Sequence, residues 1–254
     1  MNVGLLYKIL RFTEKELLQF LLDTLPLLGY EVLTNDNDYI VAIPIGAATT
    51  PIALVAHIDT VPRNGVSLVR SGVLVKNALG VLGADDRAGV YALVELAQQS
   101  SLKPVLIFTS GEELGGVGAR VLVSDGVLDS IKNTVSLFIE LDREGVEDYV
   151  FYSCDIPSSV TAWARQYGFK QAEGAYSDVA EFSKATSIPH LNLSTGYYNR
   201  HTENEYLDLS VLAMTITRVK AMIEEDRVPR GVSLRNPLCL ASSIAKSRRQ
   251  PVIR

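Results

Sequence analysis

Gly83-Ala84-Asp85-Asp86-Arg87-Ala88-Gly89 joins the end of an apolar, strand-like pattern to the start of an amphipathic helix. Two adjacent carboxylates at such a junction do not belong in a core, and the flanking glycines let the backbone turn sharply. One aspartate so placed can bridge two metal ions if further carboxylates and histidines converge on it. The chain supplies them, each near the end of its own apolar run: His57 and Asp59, Glu112 and Glu113, Asp142, and His201.

Outward from this stretch, strands alternate with helices. Ile52–Ala56, Pro104–Thr109, Thr134–Leu141 and Pro189–Ser194 are short apolar runs, as expected of strands buried on both faces. Helical spacing marks Ala88–Gln99, Val117–Val123, Ser158–Tyr167, Ser177–Ala185 and Leu209–Ile223. Thr13-Glu14-Lys15-Glu16 has the form of a capping box ahead of a leucine-rich stripe, whose last turn Pro26 weakens. Tyr30–Thr34 with Tyr39–Pro44, and Val66–Arg70 with Val73–Val75, read as hairpins, and Tyr149–Ser153 as one more strand. The pattern predicts an α/β fold, a three-layer sandwich with a mixed, mostly parallel central sheet.

The length, 254 residues, allows one large domain or two small ones. Its charge of -5 is uneven: seven basic residues and one acid lie from Asp226 onward, against 17 basic and 28 acidic residues before it. The expected division is a globular body, 1–226, and a basic tail, 227–254. No basic stripe interleaved with aromatics marks the body as a nucleic-acid binder. Cys154 and Cys239 alone imply neither a disulfide framework nor a cysteine zinc site. Met1–Arg11 reads as no signal peptide and the chain shows no membrane span, so the cytoplasm is the expected compartment.

In sheets of this type, functional groups gather beyond the carboxyl ends of the strands. His57 follows such a run, and Asp59 is close enough to hold the imidazole's other nitrogen. Singly, each residue has a plain structural reading: a chance His-x-Asp, a glutamate pair at a helix start, a strand-end aspartate, a loop histidine. Together, hard carboxylates and two imidazoles suit zinc, with manganese or cobalt as substitutes. A bridging aspartate with one carboxylate and one histidine per metal makes two equivalent sites and leaves a glutamate free as base.

The order HIDT (57–60), GADDRAG (83–89), GEE (111–113), ELD (140–142) and NRHTENEY (199–206) resembles that of the co-catalytic zinc exopeptidase superfamily. That group includes single-domain zinc aminopeptidases, peptidase T and glutamate-carboxypeptidase type enzymes. The resemblance implies that Asp85 bridges two Zn2+. His57 and Asp142 would complete one site, Glu113 and His201 the other. Glu112 would be the general base and Asp59 the partner of His57, with a cis bond after Asp85. Tyr197 or Tyr198 would be an oxyanion donor, or else both are packing tyrosines. Asp178 would stand near the metals, or merely cap its helix.

Some branches insert a lid between the last aspartate ligand and the final histidine, others a barrel between the first histidine and the bridging aspartate. The 36 residues from Asp142 to Asp178 and the 26 from Asp59 to Asp85 leave no room for either. A bare catalytic domain without a lid, residues 1–226, is therefore expected.

The expected activity is metal-assisted hydrolysis of a small peptide, with an aminopeptidase first. The alternatives are a carboxypeptidase or dipeptidase, an amino-acid deacylase or glutaminyl cyclase, and a non-catalytic binding module. Arg87, Arg143 and Arg200 flank the expected ligands, and an arginine fork suits a carboxylate. Structural ion pairs are their plainer reading. The single-domain resemblance and the acidic balance favour binding a free α-amine.

Overall fold

Thr13 and Glu16 close the expected capping box: the Thr13 N–H donates to the Glu16 carboxylate at 2.8 Å, and the Glu16 N–H donates to Thr13 Oγ1 at 3.2 Å. The chain was analysed as a computed structural model describing residues 1–35, 37–152, 156–225 and 228–229. Its elements begin with α1 (Val3–Arg11), α2 (Glu14–Leu27), β1 (Tyr30–Asn35), β2 (Tyr39–Pro44), β3 (Thr49–His57), β4 (Leu68–Ser71) and β5 (Leu74–Asn77). Then follow α3 (Ala84–Gln99), β6 (Lys103–Thr109), α4 (Val117–Ser124), α5 (Leu128–Ile131), β7 (Leu137–Arg143) and β8 (Asp148–Val150). The last are α6 (Ser158–Gln166), β9 (Lys170–Gln171), α7 (Val179–Thr186), β10 (His190–Ser194), β11 (Tyr197–Tyr198), β12 (Tyr206–Asp208) and α8 (Leu209–Ile223).

The main sheet has the order β1-β2-β6-β3-β7-β10-β8-β9. Its centre, β6-β3-β7-β10, is parallel, and β2 and β8 join it antiparallel. Side chains alternate across the pleat. Leu54 and Ala56 of β3 face one core with Leu6, Leu21, Leu93, Trp163 and Leu212, on α1, α2, α3, α6 and α8. Ala53 and Val55 face the other with Leu122, Ile131 and Phe182, on α4, α5 and α7. Strands buried on both sides carry near-continuous apolar runs for this reason. The result is the three-layer sandwich, with each fully buried Leu or Ile contributing about 1.5–3 kcal/mol. From Arg143 to Asp178 the described residues stay on this body as β8, α6 and β9, and no lid interrupts them.

The helix α3 is buried from Ala84 to Ala97. It lies against β3 and β7 while α1 and α8 pack over it, so an all-round apolar, alanine-rich sequence is what the position demands. Gly89 makes the closest approach: a Cβ there would stand 2.2 Å from the Leu141 carbonyl oxygen. That missing methyl lets the start of α3, with Asp85, lie beside the end of β7, with Asp142.

Several expectations are corrected. Helices α1 and α5 and strands β9, β11 and β12 were not anticipated. Strand β7 begins at Leu137 rather than Thr134, because the Thr134 N–H donates back to Ile131 in a turn. Asp178 occupies the N-cap position of α7 but makes no capping hydrogen bond, so the helix-cap reading fails. A second, antiparallel sheet, β11-β12-β5-β4, ties the hairpin near residue 70 to the segment that carries His201. Asp36, Ser153 and the tail beyond Asp226, apart from Val228 and Pro229, lie outside the described residues. Among the described residues no helix is long and apolar enough to cross a membrane.

Replacing Gly89 by alanine should cost about 1–3 kcal/mol of unfolding free energy, the usual penalty of overpacking a dense site. Gly4→Ala, inside the exposed turn of α1, should instead gain about 0.5–1 kcal/mol from helix propensity. Urea midpoints of the two variants check the pair, and a neutral Gly89→Ala would refute the close approach.

Candidate metal centre

The parallel strands deliver their carboxyl ends to one edge of the sheet. His57 is the last residue of β3, Glu112 and Glu113 follow β6, and Asp142 is next to last in β7. Asp85 sits at the start of α3, where it and Asp86 leave the helical conformation and are joined by a cis peptide bond. His201 lies at the tip of the β11–β12 hairpin.

These segments bring the five expected ligands together around Asp85. Asp85 Oδ1 is 3.1 Å from His57 Nε2, and Asp85 Oδ2 is 3.1 Å from His201 Nε2. Asp142 Oδ1 is 3.7 Å from the same His57 nitrogen, and Glu113 Oε1 is 2.7 Å from the same His201 nitrogen. His57, Asp85 and Asp142 are buried, whereas the His201 side chain is 37% exposed. Two groups have ligand-type atoms all within 4.8 Å of one another: His57, Asp85 and Glu113, and His57, Asp86 and Asp142. Asp86 is nevertheless committed to the backbone. Its Oδ2 accepts from the His57 N–H at 3.3 Å and its Oδ1 from the Gly89 N–H at 2.9 Å.

Each expected ligand is tethered. His57 Nδ1 lies 3.2 Å from Asp59 Oδ1, which leaves Nε2 facing Asp85 and Asp142. Asp59 also accepts from the N–H groups of Glu112 and Glu113, both at 3.2 Å, so one carboxylate aligns three site residues. Tyr197 donates its hydroxyl to Asp142 Oδ1 at 3.0 Å, and Ser177 donates to Oδ2 at 3.2 Å. The Asn192 amide clasps the Asp142 backbone from both sides, at 3.0 and 2.9 Å.

The Glu205 carboxylate accepts from the N–H groups of Gly83, Ala84 and Asp85, at 2.8, 2.8 and 3.2 Å. Arg63 holds the preceding carbonyl, that of Leu82, at 3.0 Å. Asn192, Glu205 and Arg63 were missed from sequence. Glu205 was within reach of it, because α3 starts at a glycine with no capping side chain of its own and needs an acceptor from elsewhere.

The remaining candidates divide. Tyr197 is fully buried and its hydroxyl is spent on Asp142, whereas Tyr198 stacks on Tyr206 with ring centroids 4.8 Å apart. Asp178 is buried and accepts from the Thr109 hydroxyl. Arg87 is wholly buried, with Nε and Nη1 unpartnered among the described residues, which removes it from any surface role. Arg200 Nη1 reaches Asp85 Oδ2 at 3.4 Å, and Arg143 Nη2 lies 3.7 Å from Asp148.

Crowding of like charge dominates the electrostatics. Burial, then Asp142, pushes the Glu112 carboxyl up to about 8. Burial pushes Asp178 up to about 7, against the pull of the Thr109 hydrogen bond. Burial followed by Asp85 raises Asp142. Burial opposes charging of His57, but Asp142 and the hydrogen bonds around it outweigh that and raise it. Carboxylates packed this closely, with two imidazoles aimed among them, fit divalent cations of the zinc class.

Fold and site together point to a family of metal-dependent peptidases. The chain belongs to Peptidase family M28, whose pattern matches residues 38–223. That family is metal-dependent, typically with zinc. Among solved structures, the chain is similar to aminopeptidase PepT from Bacillus cereus, at 18% identity and a TM-score of 0.72, covering 87% of this chain and 97% of that one. It is similar to a tripeptidase from Staphylococcus aureus, at 16% identity and 0.71, covering 87% and 96%. A TET aminopeptidase from a marine sediment Thaumarchaeota archaeon matches at 12% identity and 0.66, covering 89% and 97%. At these identities the likeness is one of fold. The YqjE protein of Bacillus subtilis, described as uncharacterized, is 31% identical over 122 residues, which span 45% of this chain and 31% of that relative.

The electrostatics set a pH dependence for the metal-free protein. Glu112, Glu113 and Asp178 bind their protons more tightly folded than unfolded, so the stability they give is lost as pH rises from about 4.5 toward 8. His57 and His201, both raised, add a loss in the same direction above about pH 6.5. Asp59 and Asp85 are lowered, and their contribution is already complete above pH 3.8. Buried His190, lowered to about 3, opposes this trend below about pH 6.5, so chelated protein should show a falling unfolding temperature between about pH 6.5 and pH 8 that added zinc reverses. A midpoint that rises over this range without metal would contradict the crowding.

Proposed function

We propose that this chain is an aminopeptidase of short peptides that works with two divalent cations, zinc in the first place. The observation that carries the proposal is Asp85, one oxygen of which stands 3.1 Å from each histidine Nε2. Two cations in that arrangement would share Asp85, with His57 and Asp142 holding one and Glu113 and His201 the other. When bound, such a pair supplies a Lewis acid and a water whose pKa is brought toward 7.

The chain's own groups do the rest. Glu112 is the base, its backbone anchored by the N–H that donates to Asp59 Oδ1 at 3.2 Å. It takes the proton from the attacking water and passes it to the departing amine. In the metal-free protein, burial and then Asp142 raise its carboxyl to about 8. Tyr197 and Ser177 hold Asp142 in place and Asp59 sets the His57 tautomer, so these are positioning groups. The aminopeptidase sense draws on the acidic surroundings of the centre, the absence of a lid among the described residues, and the similarity to solved aminopeptidases.

Glu112→Gln keeps size and a hydrogen-bonding end but cannot accept a proton. It should lose on the order of 10²–10⁴ in rate with metal content intact. Glu113→Gln should lower metal content instead. Equal metal content in the two variants would overturn the division of roles. Chelation should abolish turnover, and N-acetylation of a peptide substrate should abolish its cleavage if the free amine is read. Undiminished cleavage of the acetylated peptide would refute the aminopeptidase sense.

A further inference from the structure

Beside Asp142 the surface closes into a cavity of about 50 Å³, whose wall includes Arg143, Glu144, Tyr152, Tyr176 and Arg200. Two arginines from distant parts of the chain line it, one from the end of β7 and one from the tip of the β11–β12 hairpin. Each has a single ion-pair partner among the described residues. Arg143 has its Nε buried with no hydrogen-bond partner among the described residues, and its single ion pair, to Asp148, is long at 3.7 Å. Arg200 makes one contact, 3.4 Å to Asp85 Oδ2, and its side chain is 48% exposed. Among the described residues, Glu144 is in ion-pair contact with neither arginine, although it shares the wall.

The backbone presents Arg200 deliberately. Asn199 and His201, on either side of it, both hold the left-handed conformation, with φ of 55° and 63°. Few residues other than glycine adopt it, and such turns persist where the surroundings enforce them. Here the turn sends His201 and Arg200 to the same carboxylate, Asp85.

A buried guanidinium N–H without an acceptor is costly, and a planar fork matches a carboxylate with two parallel hydrogen bonds. The volume suits that group: about 10–15 Å³ of such space holds one water, so the cavity has room for a carboxylate. Position suits it as well. In a peptide, the α-carboxylate of the residue after the scissile bond is three covalent bonds from the scissile carbonyl carbon. The cavity shares Asp142 with the proposed metal centre, so a carboxylate in it lies within about one residue of the bond to be cut.

We infer that Arg143 and Arg200 hold a substrate carboxylate in this cavity, so that the preferred substrates are very short peptides bearing a negative charge next to the scissile bond. Two sources share that chemistry, the terminal carboxylate of a dipeptide and the side chain of an acidic residue after the cleaved bond. The inference takes its substrates from the peptidase reading above, whereas the binding of the carboxylate stands independently of turnover.

The test uses the zinc-loaded full chain with Leu-Gly, Leu-Gly amide and Leu-Glu amide. The free dipeptide is expected to exceed its amide by about 10–100-fold in kcat/KM, mostly through KM, the worth of a charged hydrogen-bonded pair. Recovery by Leu-Glu amide would assign the cavity to a side chain as well; no recovery would assign it to the terminus. In Arg143→Gln the ratio of dipeptide to amide should fall close to unity, and Arg143→Lys, which keeps the charge without the fork, should lie between. Equal use of all three peptides by the unmodified protein would overturn the proposal, as would an unchanged ratio in a folded Arg143→Gln.

Equilibrium binding of Leu-Gly and its amide to Glu112→Gln, with and without Arg143→Gln, separates the two readings. A preference for the dipeptide that depends on Arg143, together with no cleavage of any of the peptides by the unmodified zinc-loaded chain, would sink the peptidase reading and leave the cavity assigned. A preference indifferent to Arg143 would overturn the cavity whatever the turnover.

Discussion

The Asp85 carboxylate faces two imidazoles at once, and most of the surrounding structure serves to keep it there. A carboxylate with one oxygen on each of two histidines has no freedom left, so its backbone must be fixed independently. Glu205 does this from one side, accepting three consecutive N–H groups, and Arg63 from the other, holding the Leu82 carbonyl. Glu205 lies four residues after His201 on the same hairpin. One short segment therefore supplies a histidine to Asp85 and the carboxylate that pins the Asp85 backbone.

That economy comes at an electrostatic cost. Glu205 is itself buried and its carboxyl is raised by that burial, yet three N–H donors at the start of a helix are a strong counterweight. The same balance recurs at Asp59, which is lowered despite burial because His57 and two backbone N–H groups face it. Glu112, Asp142 and Asp178 are raised by burial as well, although Thr109 donates to Asp178 and Tyr197 and Ser177 donate to Asp142. Asp85 is the opposite case: it is lowered despite burial because both histidines face it.

The sandwich itself was legible because its strands are buried on both faces and its helices carry clear spacing: α8 matches its expected span of Leu209–Ile223, and the capping box of α2 closes as read. The gathering of His57, Asp85, Glu113, Asp142 and His201 was expected from the resemblance of their motifs to those of zinc exopeptidases; strand ends alone mark His57, Glu113 and Asp142. What escaped was non-local. Two-residue strands such as β11 exist only because β12 and β5 pair beside them, and no local pattern announces that. Asn192 reads as an ordinary strand residue. Only the register shift between Asn192 and Ser194, where β10 meets β7, turns its amide onto the Asp142 backbone. The three arginines looked equivalent in sequence, each next to an acidic or ligand residue, and the structure separates them by burial alone.

That separation bears on how the site meets a substrate. Arg87 lies inside α3 and is closed to any ligand, while Arg143 and Arg200 converge on open space. The two halves around Asp85 are unlike: His57 and Asp142 are buried, with Tyr197 and Ser177 donating to Asp142, whereas the His201 side chain is 37% exposed. The His201 side is therefore open to a peptide, with Arg200, the neighbour of His201, at its edge. The buried half supplies rigidity and the open half supplies access. Without a lid to complete the site, recognition of the substrate's ends falls to the few side chains that the β11–β12 hairpin and the end of β7 bring to that edge.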